Sequence, residues 1–430
     1  MFHETLAAID IPSIMQRKLA RAGSQVFVCG APVDLAAYNR IFAVAIGKAS
    51  VAMAQGLAHT LAPDFQLEGI VVSPSHADEL PQGFRAFTAG HPVPNQSSFD
   101  AARAILDLLA RANEKSLVFF LLSGGGSALV ELPLDSGNSL EDVQAMNRAL
   151  VTCGASIDEI NAVRKHFSAV KGGRMAVAAG AATKITLAVT DVPEGQESAL
   201  ASGPSLPDPT TVSDACGVVQ RYGLLPSLPP KIQARIEHPD TMLETPKAGD
   251  PAFDPRRSAF QILLGRHDLF HAAHHASESA EFVTICDNTT DNWPVEKAVD
   301  FLLDQLKKLK AANPEKSVAL IADGEVSSPV TGDGIGGRNL AFVLDAVQKI
   351  AGQKIAVLSC GTDGVDGSSP AAGAVADGES LARAQSAGLD PADYFRRSDS
   401  YTFFRALGDT VQTGPTGNNL RDLRILLAEN

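Results

Sequence analysis

Short runs rich in valine and isoleucine alternate along the chain with amphipathic stretches, and this alternation constrains the fold more than any other feature. Runs of the first kind are typical of β-strands, and stretches of the second kind are typical of helices. Parallel sheets covered by helices have this pattern. The sequence therefore predicts an α/β fold.

The predicted elements fall into two series. In the first half we predict strands near Ile41–Ile46, Gly69–Ser73, Leu117–Leu122 and Ile185–Thr190, and helices near Ala49–Leu61, Ser98–Arg111, Leu140–Val151 and Ile157–Val170. In the second half we predict strands near Phe260–Leu264, Phe282–Ile285, Val318–Ile321 and Ile355–Ser359, and helices near Asp268–Ser279, Val295–Ala311, Leu340–Ile350 and Glu379–Ala387. No sequence period accompanies this repetition.

A proline-dense segment lies between the two series. The run "LLPSLPPKIQARIEHPDTMLETPKAGDPAFDP" would interrupt a long helix or a central strand. With 430 residues, the chain is long enough for two domains. We place the boundary near residue 240, which gives domains 1–240 and 241–430. The first 23 residues include a helix candidate that could pack on either domain.

Composition excludes several classes of protein. The formal net charge of -13 argues against a nucleic-acid surface, which needs clustered lysine and arginine. The longest apolar runs are far shorter than the roughly 20 residues of a membrane span, and no leader is recognised. The five cysteines have no CxxC spacing, so neither a disulfide framework nor a zinc knuckle is predicted. We expect a cytoplasmic protein with small-molecule partners.

The segment "AIGKAS" places Gly47 and Lys48 between a predicted strand and a predicted helix. In open α/β sheets, ligands bind beyond the carboxyl ends of the strands. An ammonium group beside the positive end of a helix attracts an anion. The alternative is a solvated lysine at the start of a helix.

The segment "SGGGS" follows another predicted strand and joins Ser123, Gly124, Gly125, Gly126 and Ser127. Glycines let a phosphate approach the main-chain amides, and serine hydroxyls can add hydrogen bonds. The segment is not a P-loop, because no lysine follows at the required place. We interpret it as a phosphate cradle, with a flexible turn as the alternative.

The segment "TGDGIGGRN" matches the spacing GxGxxG. A dinucleotide fingerprint should follow directly on a buried strand, whereas "EVSSPV" precedes this one. What the segment does offer is Arg338, a planar cation at the start of a helix that suits phosphate or carboxylate. A surface arginine is the alternative interpretation.

Carboxylates follow several predicted strands. Asp363 and Asp366 lie in a glycine-rich loop, where they could hold Mg²⁺ through water, accept a proton, or only support turns. Asp191 raises the same choice, as does the pair Asp323 and Glu325.

Histidines are less informative. His91, in a Gly-His-Pro turn, could bind substrate or shape the loop. The histidines of "GRHDLFHAAHHAS" lack HExxH and an acidic partner, so a zinc site is disfavoured.

Together the motifs carry a resemblance to a known family. The segments "GKAS", "GHPVPNQSS", "LLSGGGSALVELP", "INAVRKHFSAVKGGR", "ASGPSLPDPTT", "GGRN", "CGTDGVDGSSPAAGA" and "TGPTGNN" occur in this order, and the chain resembles the glycerate 2-kinases of the MOFRL type over nearly its whole length. The resemblance implies a Rossmann-like parallel-sheet N-terminal domain, a mixed-sheet C-terminal MOFRL domain and a cleft between them. It also implies transfer of phosphate from ATP, with Mg²⁺, to the 2-hydroxyl of D-glycerate.

Roles for single residues follow from the same resemblance. Phosphoryl transfer needs alignment and positive charge more than covalent chemistry. Lys48 and Arg338 would stabilise the transferred group, and Asp363 or Asp191 would act as base or metal ligand, with Asp366 a further metal ligand. Binding of phosphate or of the substrate carboxylate would fall to Gly47, His91, Ser123–Ser127 and Asn339.

The chain also departs from the family pattern. Many relatives have a further aspartate after the Asp-Val pair, whereas this chain reads Asp191-Val192-Pro193-Glu194. Two other functions stay open: an NAD(P)H-dependent hydroxypyruvate reductase, suggested by GxGxxG, and a non-catalytic sugar-acid sensor. The sequence does not decide between a monomer and a homodimer.

Overall fold

The computed structural model describes residues 1–61, 64–190, 192, 195–418 and 420–429. The chain forms two compact units, an N-terminal unit of Ile11–Leu263 and a C-terminal unit of Met1–Asp10 with Leu264–Asn430. Helix α1 (Phe2–Ala8) therefore belongs to the C-terminal unit although it begins the chain. Among the described residues, no helix is long and apolar enough to cross a membrane.

The N-terminal unit contains two sheets. The smaller is an antiparallel sheet of β1 (Leu19–Ala22), β2 (Gln25–Val28) and β3 (Ala31–Asp34). The larger has the order β6-β5-β4-β7-β8-β9 and contains β4 (Arg40–Ile46), β5 (Leu67–Ser73), β6 (Phe84–Thr88), β7 (Ser116–Leu122), β8 (Thr183–Val189) and β9 (Ser258–Leu264). All pairings from β6 to β8 are parallel, which confirms the predicted parallel sheet.

The strand order reverses next to β4. The chain passes from β4 outward to β5 and β6, and then crosses to β7 on the other side of β4. All seven residues of β7 are buried, because helices cover both faces of a parallel sheet. Ile46 pairs with Leu122, so β4 and β7 end side by side. Such a reversal opens a crevice at the carboxyl ends of the two strands, where ligands of open α/β sheets bind.

Helices surround this sheet and begin with strong caps. The Ser156 and Glu159 side chains form the predicted capping box at the start of α7. The helix ends at Phe167 rather than near Val170. The helices of the unit are α2 (Ile11–Lys18), α3 (Ser50–Leu61), α4 (Gln96–Leu109), α5 (Gly126–Leu129), α6 (Leu140–Thr152), α7 (Ile157–Phe167), α8 (Arg174–Ala178), α9 (Val212–Arg221) and α10 (Pro230–Glu237).

The C-terminal unit has one mixed sheet, of the order β10-β11-β15-β12-β13-β14. Its strands are β10 (Val283–Asp287), β11 (Val318–Asp323), β12 (Ile355–Gly361), β13 (Gly373–Asp377), β14 (Thr410–Val411) and β15 (Asp422–Ala428). Only β10 and β11 pair in parallel, and the last strand of the chain inserts antiparallel between β11 and β12. This arrangement confirms the predicted mixed sheet.

Six helices of the C-terminal unit follow α1 in the described residues. They are α11 (Arg266–Ser279), α12 (Val295–Ala312), α13 (Arg338–Lys349), α14 (Ser380–Ser386), α15 (Pro391–Arg396) and α16 (Ser400–Leu407). The apolar faces of α12, α13 and α16 share one core with the buried side of the sheet. Helix α1 packs on α11 within the same unit.

The division between the units differs from the predicted boundary near residue 240. Residues 241–263 belong to the N-terminal unit, because β9 extends the large sheet beside β8. The amide of Lys184 in β8 donates to the carbonyl of Arg257, just before β9. The proline-dense segment is thus an excursion within the N-terminal unit, and the strand predicted to open the second domain completes the first sheet.

Candidate functional site

The loops after β4 and β7 are joined by hydrogen bonds at the crevice. The amide of Lys48 donates to the carbonyl of Gly124 (3.0 Å), and the amide of Ala49 donates to Oγ of Ser123 (3.0 Å). Gly47 has a φ of 125°, and a Cβ there would lie 2.1 Å from Oγ of Ser123. Only glycine allows these two loops to approach so closely. The structure therefore brings Gly47, Lys48 and the glycine loop together, as the sequence suggested.

Ser123 has a structural role in this arrangement. Its side chain is fully buried and lies within hydrogen-bonding distance of the Ile46 carbonyl (3.4 Å) as well as the Ala49 amide. The hydroxyl proton and one lone pair are therefore used within the protein. Ser123 holds the Lys48 loop against the glycine loop.

The glycine loop itself offers main-chain donors. Gly125 has a φ of 87°, a left-handed conformation that favours glycine, and it immediately precedes the short helix α5. Within the described part of the chain, no acceptor receives a hydrogen bond from the amides of Gly124, Gly125, Gly126 or Ser127. Successive unused amides beside a lysine form a surface suited to an anion.

His91 and Lys48 both lie close to Gly125. A Cβ at Gly125 would be 3.2 Å from Nε2 of His91 and 3.7 Å from Cγ of Lys48. Burial, and then the charge of Lys48, lower the pKa of His91 below its ordinary value. The imidazole is therefore neutral at pH 7, and Lys48 is the cation of this part of the site.

Ser127 is hydrogen-bonded to a buried serine. Its Oγ lies 2.8 Å from Oγ of Ser202, and Ser202 donates to Oδ1 of Asn161 (2.9 Å). Ser202 and Asn161 are both buried. The serine of the glycine loop is thus the end of a buried hydrogen-bond chain.

A second buried network holds the far end of the glycine loop. Nζ of Lys171 donates to the Val130 carbonyl (3.1 Å) and to Glu131 (2.5 Å), and Glu131 also accepts from Ser168 (2.6 Å). Burial lowers the pKa of Lys171, and the charge of Glu131 opposes that shift. The lysine fixes the chain just after α5.

No role was predicted from the sequence for Lys171, Glu131, Ser202 or Asn161. The signal was present, because Asn161 and Lys171 belong to "INAVRKHFSAVKGGR" and Ser202 to "ASGPSLPDPTT", two of the segments that carried the family resemblance. Their partners lie 40 or more residues away in sequence. Residue type alone gives no indication of such pairings.

In the C-terminal unit, Arg338 begins α13 and is held by two carboxylates. Its guanidinium donates to Glu325 through Nη1 (2.8 Å) and Nη2 (2.7 Å), and to Asp422 through Nε (2.6 Å) and Nη2 (3.1 Å). Burial alone would lower the pKa of Arg338, but the hydrogen bond to Asp422 and the charges of Asp422 and Glu325 raise it above its ordinary value. Arg338 is a permanent cation in a fixed orientation.

The first amides of α13 are already occupied by a carboxylate. Asp366 accepts from the amides of Asn339 (3.1 Å) and Leu340 (2.8 Å), and from the Asn339 side chain (3.2 Å). Its burial raises its pKa to about 6, despite these hydrogen bonds. Asn339 in turn accepts from Ser359 (2.6 Å). Asp366 and Asn339, predicted to hold metal and ligand, here cap and fix the helix.

Asp363 and Asp191 complete the predicted carboxylates. Asp363 is half-buried, and its Oδ1 accepts from the amide of Val365 (3.2 Å). Asp191 lies outside the described residues. Among the residues that the structure does describe, no group of three or more histidine, cysteine or acidic side chains is placed to hold a metal ion. The five cysteines are all free.

Two family models match this chain. Residues 1–237 match the model of the "Domain of unknown function (DUF4147)" family, and residues 318–422 match the "MOFRL family" model. The D-glycerate 2-kinase of Thermotoga maritima is 36% identical over 90% of this chain and 90% of its own length.

The chain belongs to the DUF4147–MOFRL family.

Other members agree in sequence and structure. A glycerate 2-kinase of Pyrococcus horikoshii is 32% identical over 90% of this chain and 87% of its own length. The crystal structure of the Thermotoga maritima glycerate kinase has a TM-score of 0.81 at 33% identity and covers 99% of both chains. An Agrobacterium vitis relative, 37% identical over 90% of this chain and 87% of its own, is named provisionally as a hydroxypyruvate reductase.

Within this DUF4147–MOFRL protein, the two family segments correspond to the two groups of site residues. The DUF4147 match contains Lys48, His91 and the glycine loop, and the MOFRL match contains Arg338, Asp363 and Asp366. The match ends at Asp422, the carboxylate that orients Arg338. Asp422 was not predicted from the sequence, because its strand β15 meets α13 only through the fold.

Proposed function

We propose that this protein is a D-glycerate 2-kinase, which transfers the terminal phosphate of ATP to the 2-hydroxyl of D-glycerate. The observation that carries the proposal is the arrangement at the β4–β7 crevice, where Lys48 lies close to Gly125 and four main-chain amides of the glycine loop have no acceptor in the described chain. The names of the relatives from Thermotoga maritima and Pyrococcus horikoshii support the same reaction.

The charge distribution of the crevice suits an anionic ligand. The amides of the glycine loop and the ammonium of Lys48 can all donate hydrogen bonds to a carboxylate or to phosphate oxygens. These groups are fixed before the ligand arrives, because the two loops are hydrogen-bonded to each other. Fixed donors stabilise a transferring phosphoryl group without reorganisation at the moment of reaction.

His91 contributes in a different way. Since its imidazole is neutral at pH 7, it can offer one hydrogen bond and one lone pair rather than a charge. We assign His91 to binding the substrate next to Gly125. This role agrees with the expectation from the Gly-His-Pro turn.

For Arg338 we also propose a catalytic role. A guanidinium has five N–H donors, and Glu325 and Asp422 accept four hydrogen bonds from Arg338. One N–H remains for a ligand. An Arg338→Lys variant keeps the charge and loses the planar fork, so we expect its turnover to fall while its affinity for ATP changes little.

The family resemblance also implies Mg²⁺, and Asp363 is the residue that fits best. Mg²⁺ commonly takes one or two protein carboxylates and completes its shell with phosphate oxygens and water. A site with one half-buried carboxylate and no larger acidic cluster in the described chain agrees with a metal that arrives with ATP. When bound, the ion would neutralise charge on the phosphate oxygens. Asp366 is not assigned to it, because the carboxylate caps α13.

The alternative of a hydroxypyruvate reductase finds no support in the geometry. Fourteen residues separate the end of β11 at Asp323 from the start of α13 at Arg338, so the GxGxxG segment does not follow directly on a strand. The amides of Asn339 and Leu340, where a pyrophosphate would bind, are occupied by Asp366.

A coupled assay of ADP release tests the proposal directly. Purified protein, ATP, Mg²⁺ and D-glycerate should produce ADP, and ³¹P NMR should locate the phosphate on the 2-hydroxyl. The matched control replaces D-glycerate with hydroxypyruvate and ATP with NADH, and its absorbance should stay constant. NADH oxidation without ADP release would reject the kinase in favour of the reductase. ADP release that is independent of glycerate would exclude D-glycerate as the acceptor.

A further inference from the structure

The buried chain Ser127–Ser202–Asn161 fixes the direction of its hydrogen bonds. Oγ of Ser202 lies 2.9 Å from Oδ1 of Asn161, and an amide oxygen can only accept. Ser202 therefore donates its single proton to Asn161. Because Oγ of Ser127 lies 2.8 Å from Oγ of Ser202, the proton between these two hydroxyls must come from Ser127.

The Ser127 hydroxyl can therefore only accept a hydrogen bond from a ligand. A hydroxyl has one proton and two lone pairs, and the proton of Ser127 is used by Ser202. Ser127 cannot donate to a carboxylate or a phosphate, which is the role that its place in a phosphate cradle first suggested. The donors of the site are instead the main-chain amides and Lys48.

The backbone around Ser202 holds this chain in one arrangement. Ala201, Ser202 and Gly203 have φ values of 50°, 59° and 61°, and left-handed residues other than glycine cost free energy. Gly172 and Gly173 donate their amides to the carbonyls of Ser202 (3.0 Å) and Gly203 (2.7 Å). Ser202 is fully buried, so water does not compete for its hydroxyl.

We propose that Ser127 accepts a hydrogen bond from the substrate hydroxyl that is not phosphorylated, and that it thereby selects a dihydroxy acid. The inference rests on the proposed kinase function, in which D-glycerate has a reacting 2-hydroxyl and a 3-hydroxyl. The reacting hydroxyl must transfer its proton to a base. Ser127 cannot be that base. It could accept a proton only by passing its own proton to Ser202, and that path ends at the neutral amide of Asn161. The 3-hydroxyl is the group left for it.

Three acceptors that differ only at C3 test this assignment: D-glycerate, D-lactate with no C3 hydroxyl, and 3-fluoro-D-lactate with a C3 group that can only accept. For the unmodified protein, kcat/KM should be highest for D-glycerate, and the two analogues should be equally poor. In Ser127→Ala, kcat/KM for D-glycerate should fall about tenfold while the analogues change little. The loss should appear in KM more than in kcat.

A second variant tests the direction of the hydrogen bond. Ser202→Ala removes the group that holds the Ser127 proton, so Ser127 becomes able to donate. The fluoro analogue should then gain over D-lactate, which a purely structural role for Ser202 would not produce. Ser205→Ala is the matched control, because Ser205 is also buried and its hydroxyl also bonds a hydroxyl, that of Thr186 (2.8 Å). It should leave the ratios among the three acceptors unchanged.

The outcomes separate the inference from the function it rests on. Absence of ADP release with D-glycerate in the unmodified protein would remove both. Turnover with unchanged ratios in Ser127→Ala would overturn the role of Ser127 alone. A preference of the unmodified protein for the fluoro analogue over D-lactate that is lost in Ser127→Ala would show Ser127 donating, and would overturn the inference.

Discussion

Two glycine-rich loops of this protein share a sequence signal and differ in what their backbones contact. In the loop after β7, the amides of Gly124 to Ser127 have no acceptor in the described chain, and a Cβ at Gly125 would meet His91 and Lys48. In the loop before α13, Cβ atoms at Gly334 and Gly337 would collide with Asp399 and Asp366 at 2.4 Å. The two loops therefore differ in their main-chain donors: the amides of the first have no acceptor in the described chain, whereas the amides of Asn339 and Leu340 after the second are bound by Asp366.

Glycine spacing in a sequence therefore predicts that some group lies close to the backbone, but it does not show which group. At α13 the partner is a buried carboxylate of the same unit, which occupies the amides that a phosphate would use. At β7 the strand order reverses beside the loop, so the sheet itself opens a crevice. Position relative to the sheet distinguishes the two loops where the sequence pattern cannot.

The largest expected effect comes from removing the cation beside the β7 loop, in the loop after β4. Lys48→Ala should lower kcat by about 10²–10³, because one preorganised charge at a transferring phosphoryl group is lost. The melting temperature should hardly change. ADP release at saturating substrates measures the first quantity, and thermal unfolding the second. Near-normal turnover in this variant would remove Lys48 from the mechanism.

The loop before α13 should instead affect how the unfolding free energy depends on pH. The folded-state pKa of Asp366 is about 6, above its ordinary value of 3.8, so its contribution to stability is present below pH 4 and is lost as the pH rises through 6. A shift of this size corresponds to about 3 kcal/mol. Relative to the unmodified protein, Asp366→Asn should therefore gain unfolding free energy between pH 4 and 6.

Denaturant unfolding of the two proteins at several pH values measures this difference. Parallel curves would mean that folding does not shift the pKa of Asp366. Asp254 provides a comparison, because its hydrogen bonds with Arg256 lower its pKa to about 2. Asp254 is partly buried, and a change there should alter the curve mainly below pH 4.

The smallest effect is expected at the left-handed glycines. Gly125→Ala should cost about 1–2 kcal/mol of unfolding free energy, because a residue with a Cβ is strained at positive φ. Gly154 has a φ of 84° with nothing within 4 Å of a Cβ, so Gly154→Ala matches the strain without touching the site. Only Gly125→Ala should raise KM. Equal KM values in both variants would mean that the β7 loop is only a turn and does not bind the substrate.

Much of the fold could be predicted, because its signals are local. Strands β4 and β7 are continuous apolar runs, and the loops after them were predicted from the glycines and Lys48. Strand β9 was assigned to the wrong sheet, because the proline-dense segment resembles a linker while its return to β8 depends on tertiary pairing.

The site could be predicted only in part, for the same physical reason. Lys48, His91 and Gly125 could be proposed as site residues because each stands next to a recognisable strand or turn. Asp422 and Lys171 act through partners 84 and 40 residues away, and such distances leave no mark on the spacing of residue types. Asp366 was predicted as a metal ligand, and in the structure it accepts hydrogen bonds from the first amides of α13, because an aspartate in a glycine loop suits either role.

Amide chemical shifts can show which loop binds the substrate anion. We propose that it is the β7 loop and not the loop before α13. Protein labelled with ¹⁵N-glycine should be titrated with D-glycerate and followed by NMR. We expect the largest shifts at Gly124, Gly125 and Gly126, with small ones at Gly334, Gly336 and Gly337. The reverse pattern, with the largest shifts in the loop before α13, would show that the β7 loop does not bind the substrate anion.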